Sequence, residues 1–78
     1  MKDVKVMLNG AEKIVEFVNI MERLGINADL GQGNVRIDAR SMIGVMAIDT
    51  TAPIILSINE SDDTIAEVMK KIDSFVVK

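Results

Sequence analysis

The hydrophobic residues of this chain switch between a period of two and a helical period, and the order of these switches restricts the fold more than any other feature. Val4 and Val6 alternate with charged residues and predict a first strand with one buried face. The pattern continues into apolar Met7 and Leu8 and stops at Asn9. Asn9 and Glu12 have the spacing of a capping box and predict that a helix begins there. Gly25 supplies the left-handed residue that commonly ends a helix. Between these limits the helix is expected to show one apolar stripe, formed by Ile14, Val15, Val18, Met21 and Leu24.

The middle of the chain predicts a hairpin, a short helix and a strongly apolar strand. Two alternating segments flank residues 31–34, which contain two glycines and suit a turn. Ser41 stands directly before the apolar run at residues 42–46, which suits a short helix with the serine as its N-cap. The alternating apolar residues are Ile26, Ala28 and Leu30 in the first arm of the hairpin, Val35, Ile37 and Ala39 in the second, and Ile54, Leu56 and Ile58 in the strand that follows the loop at residues 49–53.

The C-terminal segment has the cleanest helical pattern. Glu60, Asp62 and Asp63 suit the positive end of a helix dipole, and the lysines at positions 70, 71 and 78 cluster toward the other end. The resulting order β-α-β-β-α-β-α predicts an α+β open-faced sandwich, a four-stranded antiparallel sheet covered on one face by helices. With 78 residues there is no room for a second core, so we expect one domain over residues 1–78. The apolar stripe of the last helix consists of Ile65, Val68, Met69, Ile72, Phe75 and Val76.

The residue types that are missing exclude several classes of function. The chain has no histidine and no cysteine, which removes the usual zinc ligands, thiolate nucleophiles and histidine bases. A net charge of −3, without tryptophan or tyrosine, argues against nucleic acid as a partner. The uncharged runs are too short to span a membrane, so we expect a cytoplasmic protein.

Two weak motifs predict neither a metal nor a cofactor. The carboxylates of Glu60, Asp62 and Asp63 lack the spacing and the central glycine of a calcium loop, so helix-start charge explains them better. The Gly31-x-Gly33 pair joins two predicted strands instead of opening a helix, so it is interpreted as a hairpin turn and not as a phosphate loop. We therefore expect a non-catalytic protein without a metal or a cofactor.

Residues 40–48 read Arg-Ser-Met-Ile-Gly-Val-Met-Ala-Ile, and this segment, together with the order of elements, resembles the HPr family. These are the small histidine-phosphorylated carriers of the bacterial sugar phosphotransferase system, in which the stretch typically reads Lys-Ser-Ile-Met-Gly-Val-Met-Ser-Leu. The match extends without gaps from about Ile26 to the C-terminal helix. The resemblance implies an HPr-like sandwich and protein partners of the phosphotransferase or catabolite-regulation type.

The sequence departs from this family at the loop that carries the family's chemistry. HPr proteins normally have Gly-x-His-Ala-Arg-Pro there, and the histidine accepts a phosphoryl group at the start of the first helix. Residues 8–13 of this chain read Leu-Asn-Gly-Ala-Glu-Lys, so Gly10 or its neighbour falls where the histidine should be and Glu12 falls where the arginine should be. A glycine cannot accept a phosphoryl group, and a carboxylate would repel one.

Two further features take a functional interpretation from the resemblance. Ser41 matches the serine that a dedicated kinase phosphorylates in Gram-positive bacteria, although a serine at this position also explains itself as a helix cap. The resemblance also places Met42, Ile43 and Met46 on the docking face for partner proteins, whereas in so small a protein some of them are expected to fill the core.

These observations favour a histidine-less, HPr-like protein that works by docking to other proteins and is gated at Ser41. One alternative is a genuine phosphocarrier, which the resemblance supports and the missing histidine opposes. Another is a small ligand-binding regulatory domain with the same open sandwich, which a pocket at the sheet would favour.

Overall fold

A computed structural model describes residues 1–77, and its element order is the one expected from the sequence. The architecture is an α+β open-faced sandwich, as predicted. A single turn of 3-10 helix at Asp73–Phe75 follows the last α-helix. The strands and helices are β1 (Lys2–Val6), α1 (Ala11–Leu24), β2 (Ala28–Gln32), β3 (Val35–Asp38), α2 (Met42–Met46), β4 (Ile54–Ile58) and α3 (Asp62–Ile72).

The four strands form one antiparallel sheet in the order β1-β4-β2-β3. Because side chains alternate along a strand, the register places Val4, Leu56, Leu30 and Ile37 in one row on one face. The opposite face carries polar rows instead, one of which is Asp3, Ser57, Asp29 and Asp38. The sheet is therefore apolar on one side only, and the helices cover that side.

The core lies between the apolar sheet face and the two long helices. All three predicted core residues of β4, which are Ile54, Leu56 and Ile58, are fully buried. The rings of Phe17 in α1 and Phe75 after α3 meet edge to face, with 5.3 Å between their centroids. Aromatic packing therefore joins the first helix to the end of the last one.

The predicted stripe of α1 is wrong at one position and incomplete at another. Val15 is 41% exposed, whereas Phe17, which the stripe omitted, is fully buried. The buried residues of α1 are Ile14, Phe17, Val18 and Met21, a narrower set at spacings of three and four. Val15 is also three residues from Val18, but it lies on the side of α1 that faces away from the sheet.

The capping box predicted at Asn9 and Glu12 does not form. The N-cap of α1 is Gly10, and no side chain caps the helix. Gly10 has φ +107° and ψ 151°, and its carbonyl accepts the hydrogen bond of the Ile14 amide at 3.1 Å. Asn9 therefore lies one residue before the cap, too early for its side chain to cover the amides of the first turn.

The other predicted helix ends are confirmed. Gly25 adopts the left-handed conformation with φ 60° and its amide donates to the carbonyl of Met21, and Ser41 is the N-cap of α2. Asp62 and Asp63 lie in the first turn of α3, but Glu60 lies outside it, and its carboxylate accepts the amide of Asn27 at 2.8 Å. This hydrogen bond therefore connects the loop between α1 and β2 with the loop between β4 and α3. Two of the predicted lysines lie in the last turn of α3, and Lys78 lies outside the described residues.

The predicted hairpin is also confirmed, with one difference in burial. The turn is made by Gly33 and Asn34, and Gly33 has φ 60°, which a glycine adopts without strain. Val35, at the start of β3, is 48% exposed because β3 is an edge strand and its first residue extends beyond the helices. Ala39, just after β3, is fully buried.

Candidate functional site

The loop between β1 and α1 lies where the resemblance places the phosphoryl acceptor. Leu8 is fully buried and the Met7 amide donates to the Phe75 carbonyl at 2.9 Å, so the loop is fixed at its start. Gly10 is exposed, and no atom lies within 4 Å of where a side-chain carbon would stand. The loop therefore has space for a side chain at Gly10, but its backbone conformation there is one that side chains rarely allow.

The charged residues beside Gly10 do not form a cationic site. Glu12 is in the first turn of α1, where a carboxylate is favoured by the helix dipole. The ammonium group of Lys13 lies 5.4 Å from the centroid of the Phe75 ring, on the side of α1 that faces Phe75. The exposed start of α1 therefore carries a carboxylate, with the nearest cation turned toward an aromatic ring.

Ser41 caps α2 through its side chain. Its hydroxyl oxygen accepts the Gly44 amide at 3.1 Å, and the residue is half-buried. A side-chain carbon on Gly44 would stand only 3.0 Å from that oxygen and 3.3 Å from the Cβ of Ile37. Glycine at this position therefore allows the short helix to pack closely on β3 while the cap is formed.

Ser41 lies near an ion pair, formed by Asp38 and Arg40, and near the carboxylate residue Glu22. Asp38 accepts the Arg40 backbone amide at 2.8 Å and the Arg40 side chain at 3.2 Å and 3.1 Å. The side-chain hydrogen bonds from Arg40, followed by the one from its backbone, hold the pKa of Asp38 below its ordinary value. This pair stabilises the fold above the ordinary aspartate pKa, and the contribution is lost as the pH falls through the lowered value. Glu22, Asp38, Arg40 and Ser41 line one shallow depression, so Arg40 already has a carboxylate partner beside the serine.

The three apolar residues assigned to docking differ in exposure. Met42 is half-buried and packs against the core, whereas Ile43 is 84% exposed and Met46 is 58% exposed. Val45 is fully buried and fixes α2 to the protein. The short helix therefore presents two large apolar side chains to solvent and uses its other side for packing.

Helix α1 also exposes an apolar side chain among polar ones. Val15 lies in a shallow depression of about 490 Å³ on the surface of this helix, and the other lining residues are Ala11, Glu12, Glu16 and Asn19. Helix α1 contacts α2, and Glu22, about two turns after Val15 on the same side of the helix, lines the depression at Ser41. We define the α1–α2 surface as the exposed side chains of Glu12, Val15, Glu16, Ile43 and Met46.

Sequence reasoning did not find the α1 part of this surface. Val15 was assigned to the core because its spacing fits a stripe, and only the orientation of the helix on the sheet reveals that it is exposed. The sequence signal at Val15 is divided, since its helix neighbours at spacings of three and four are polar Glu12 and Asn19 and apolar Ala11 and Val18. An apolar residue with this mixture of neighbours lies at the edge of a stripe, where the spacing alone does not decide burial.

The uncovered face of the sheet holds a second, more polar cavity of about 370 Å³. Ser57, which is 6% exposed, is one of its lining residues. Asn27, Asp29, Arg36 and Asn59 also line it. Among residues 1–77, no group of three or more carboxylates is arranged to hold a metal ion.

No family model and no curated protein matches the sequence. None of the helices between residues 1 and 77 is long and apolar enough to cross a membrane. A solved structure described as HPr-C-His from Thermoanaerobacter tengcongensis is similar to this chain, with 20% identity and a TM-score of 0.71 over 95% of this chain and 93% of that one. At this identity the likeness concerns the fold, and the fold of this protein is HPr-like.

Proposed function

We propose that this protein docks to other proteins through the α1–α2 surface and does not carry a phosphoryl group on histidine. The observation that carries the proposal is Gly10 at the N-cap of α1, in a chain without histidine. The resemblance puts the acceptor at the start of the first helix, on Gly10 or its neighbour, and no imidazole is present there. Exposed Ile43 and Met46 remain as the feature through which an HPr-like fold could act.

The proposed partners are proteins of the phosphotransferase or catabolite-regulation type. Support for protein partners comes from exposed apolar side chains on two adjacent helices, since a thioether and a branched aliphatic chain in water favour burial against another surface. The resemblance supplies the class of partner.

Incubation with enzyme I and labelled phosphoenolpyruvate tests the non-carrier function. We expect no label on this protein under conditions in which an ordinary HPr protein becomes fully labelled, because no imidazole is present to accept it. Circular dichroism on the same sample establishes that the unlabelled protein is folded. Label on this chain would contradict the proposal and favour the genuine phosphocarrier.

We further propose that Ser41 is phosphorylated as a regulatory site. A phosphate there would stand beside the start of α2 and next to Arg40, two features that favour an anion. Glu22 and Asp38 line the same depression and oppose it, so the phosphate would have to draw Arg40 away from Asp38.

Substitution of Ser41 separates capping from phosphorylation. Ser41→Ala should lower the free energy of unfolding by about 0.5–2 kcal/mol because the Gly44 amide loses its acceptor. Ser41→Asp should stay near the wild type because it keeps an acceptor at the helix start. Urea unfolding of the three proteins measures both effects.

The same variants serve as controls for modification. A serine-specific HPr kinase with ATP should add one phosphate to the wild type and none to Ser41→Ala, and intact-mass spectrometry detects it. An unchanged wild-type mass beside a fully modified HPr control would contradict regulation at Ser41 and leave the serine as a cap.

A small-ligand regulatory domain is a second candidate function, and the cavity on the uncovered sheet face favours it. Ser57 and Asp29, two residues with side chains that can form hydrogen bonds, both line this cavity. A ligand there would perturb the amide resonances of β2 and β4, whereas a docked protein would perturb those of α1 and α2. Nuclear magnetic resonance spectra therefore distinguish the two functions.

A further inference from the structure

We infer that the α1–α2 surface binds a positively charged amphipathic helix of its partner, an inference that rests on the docking function proposed above. Three observations on this surface lead to it: the apolar anchors, the sign of the charges around them, and the positions of the nearby cations.

The apolar part of the surface comes from two helices. Val15 stands in a shallow depression on α1, and Ile43 and Met46 project from α2, which contacts α1. Exposed apolar side chains on two helices in contact suit a partner with apolar residues on one side and charged residues beside them, which is the pattern of an amphipathic helix.

The charges beside these anchors are negative. Glu12 and Glu16 are both exposed, and they line the same shallow depression on α1 as Val15. Helix α2 contains neither an acidic nor a basic residue, so it does not offset them. The net charge of −3 has the same sign. A partner that covers Val15 must therefore place its own charges near two carboxylates.

The cations closest to the surface have other neighbours. Lys13 extends over the Phe75 ring, and Arg40 forms an ion pair with Asp38, with 3.1 Å between its Nη2 and the aspartate Oδ2. Arg23, in the last turn of α1, lies next to Asn19 and Glu22. Its positive charge therefore offsets negative charge at the C-terminal end of α1. Among residues 1–77, neither Glu12 nor Glu16 forms an ion pair, and lysine or arginine from a partner would supply one.

Charge of this kind selects the partner more than it strengthens binding. Opposite charges at the rim of an interface raise the association rate and disfavour like-charged competitors, while buried apolar anchors provide most of the affinity. We therefore expect Ile43 and Met46 to determine whether a partner binds, and Glu12 and Glu16 to determine which sign of charge it carries.

Two helical peptides of equal length serve as probes. They share one stripe of leucines, and their flanking positions are lysine in one peptide and glutamate in the other. Amide chemical shifts of isotope-labelled protein report both affinity and location. We expect the lysine peptide to shift the resonances of α1 and α2 and to bind at least about tenfold more tightly than the glutamate peptide.

Matched variants separate this inference from a general attraction between opposite charges. Glu16→Lys and Glu67→Lys change the net charge by the same amount at exposed positions, the second of them on α3. Glu16→Lys should weaken binding of the lysine peptide about tenfold, and Glu67→Lys should change it less than about twofold. Equal losses in the two variants would overturn the inference.

The remaining outcomes distinguish this inference from the docking function. If both peptides bind equally and Ile43→Ser abolishes binding of both, docking stands and the charge preference is wrong. If the lysine peptide binds and Ile43→Ser leaves its affinity unchanged, the α1–α2 surface is not the docking site, and both proposals fail. If neither peptide binds, the charge inference is overturned, and the enzyme I experiment still decides whether the protein is a carrier.

Discussion

Replacing Gly10 with histidine should destabilise the protein by about 1–3 kcal/mol, because the backbone at this position has φ +107° and ψ 151°, a region that is essentially restricted to glycine. Nothing lies within 4 Å of the new side-chain carbon, so the expected cost comes from the backbone and not from a steric clash. Gly10→Ala is the matched control, since it imposes the same strain without an imidazole. Chemical unfolding of both variants measures the cost.

The histidine variants also test the electrostatics of the acceptor loop. Gly10→His alone should accept a phosphoryl group from enzyme I poorly, because the carboxylate of Glu12 stands in the first turn of the same helix. Adding Glu12→Arg replaces repulsion by a charge-assisted hydrogen bond and should raise the rate about tenfold or more. Gly10→Ala should accept nothing.

Two results would contradict this account of the loop. Equal transfer rates for Gly10→His and for the double variant would mean that Glu12 does not influence the acceptor. Wild-type stability of both Gly10 variants would mean that the loop can adopt a conformation without a positive φ.

The sequence was sufficient where a local rule decides the structure by itself. Gly25 ends α1 in the left-handed conformation, and Ser41 caps α2, because each outcome depends on one residue type and on hydrogen bonds within a single turn. The apolar face of β4 was predictable for a similar reason, since alternation along a strand leaves only two choices of face.

The failures occurred where two local rules competed or where a helix had to be oriented. Asn9 has the residue type and spacing of a cap, yet Gly10 takes the N-cap because the chain leaves β1 in a conformation that glycine allows. In α1 both Val15 and Phe17 fit a helical spacing to other apolar residues. The orientation of α1 on the sheet determines which of them is buried, and in that orientation Phe17 packs against Phe75, which lies far away in the sequence.

The proposed α1–α2 surface depends on both local and long-range information. The resemblance at residues 40–48 assigns Met42, Ile43 and Met46 to docking, and the structure leaves Ile43 and Met46 exposed. Met42 packs against the core instead, because it lies on the side of α2 that faces the protein. The contribution of α1 depends on contact between two helices and could not be obtained from either segment alone.

Phe17→Ala and Val15→Ala should have very different effects, although the two residues are neighbours in one helix. Phe17 is fully buried, and its ring centroid lies 5.3 Å from that of Phe75. Truncation to alanine should therefore lower the free energy of unfolding by about 3–5 kcal/mol, because buried area, the ring contact and part of the core packing are lost. For a domain of this size each kcal/mol lowers the melting temperature by about 4–8 °C, so the expected shift is large enough to bring Phe17→Ala close to unfolding.

Val15→Ala should change the free energy of unfolding by less than about 0.5 kcal/mol, because the side chain is already 41% exposed and alanine is the better helix former. The loss of the valine side chain should instead weaken binding of the lysine peptide, since Val15 is the large apolar residue of the depression on α1. Thermal unfolding and peptide titration of the same two variants provide both measurements, and Phe17→Leu shows whether a smaller apolar residue preserves enough of the core for the titration to be made. Comparable destabilisation by Phe17→Ala and Val15→Ala would show that α1 buries the broader stripe, and the α1–α2 surface would then lose its α1 half.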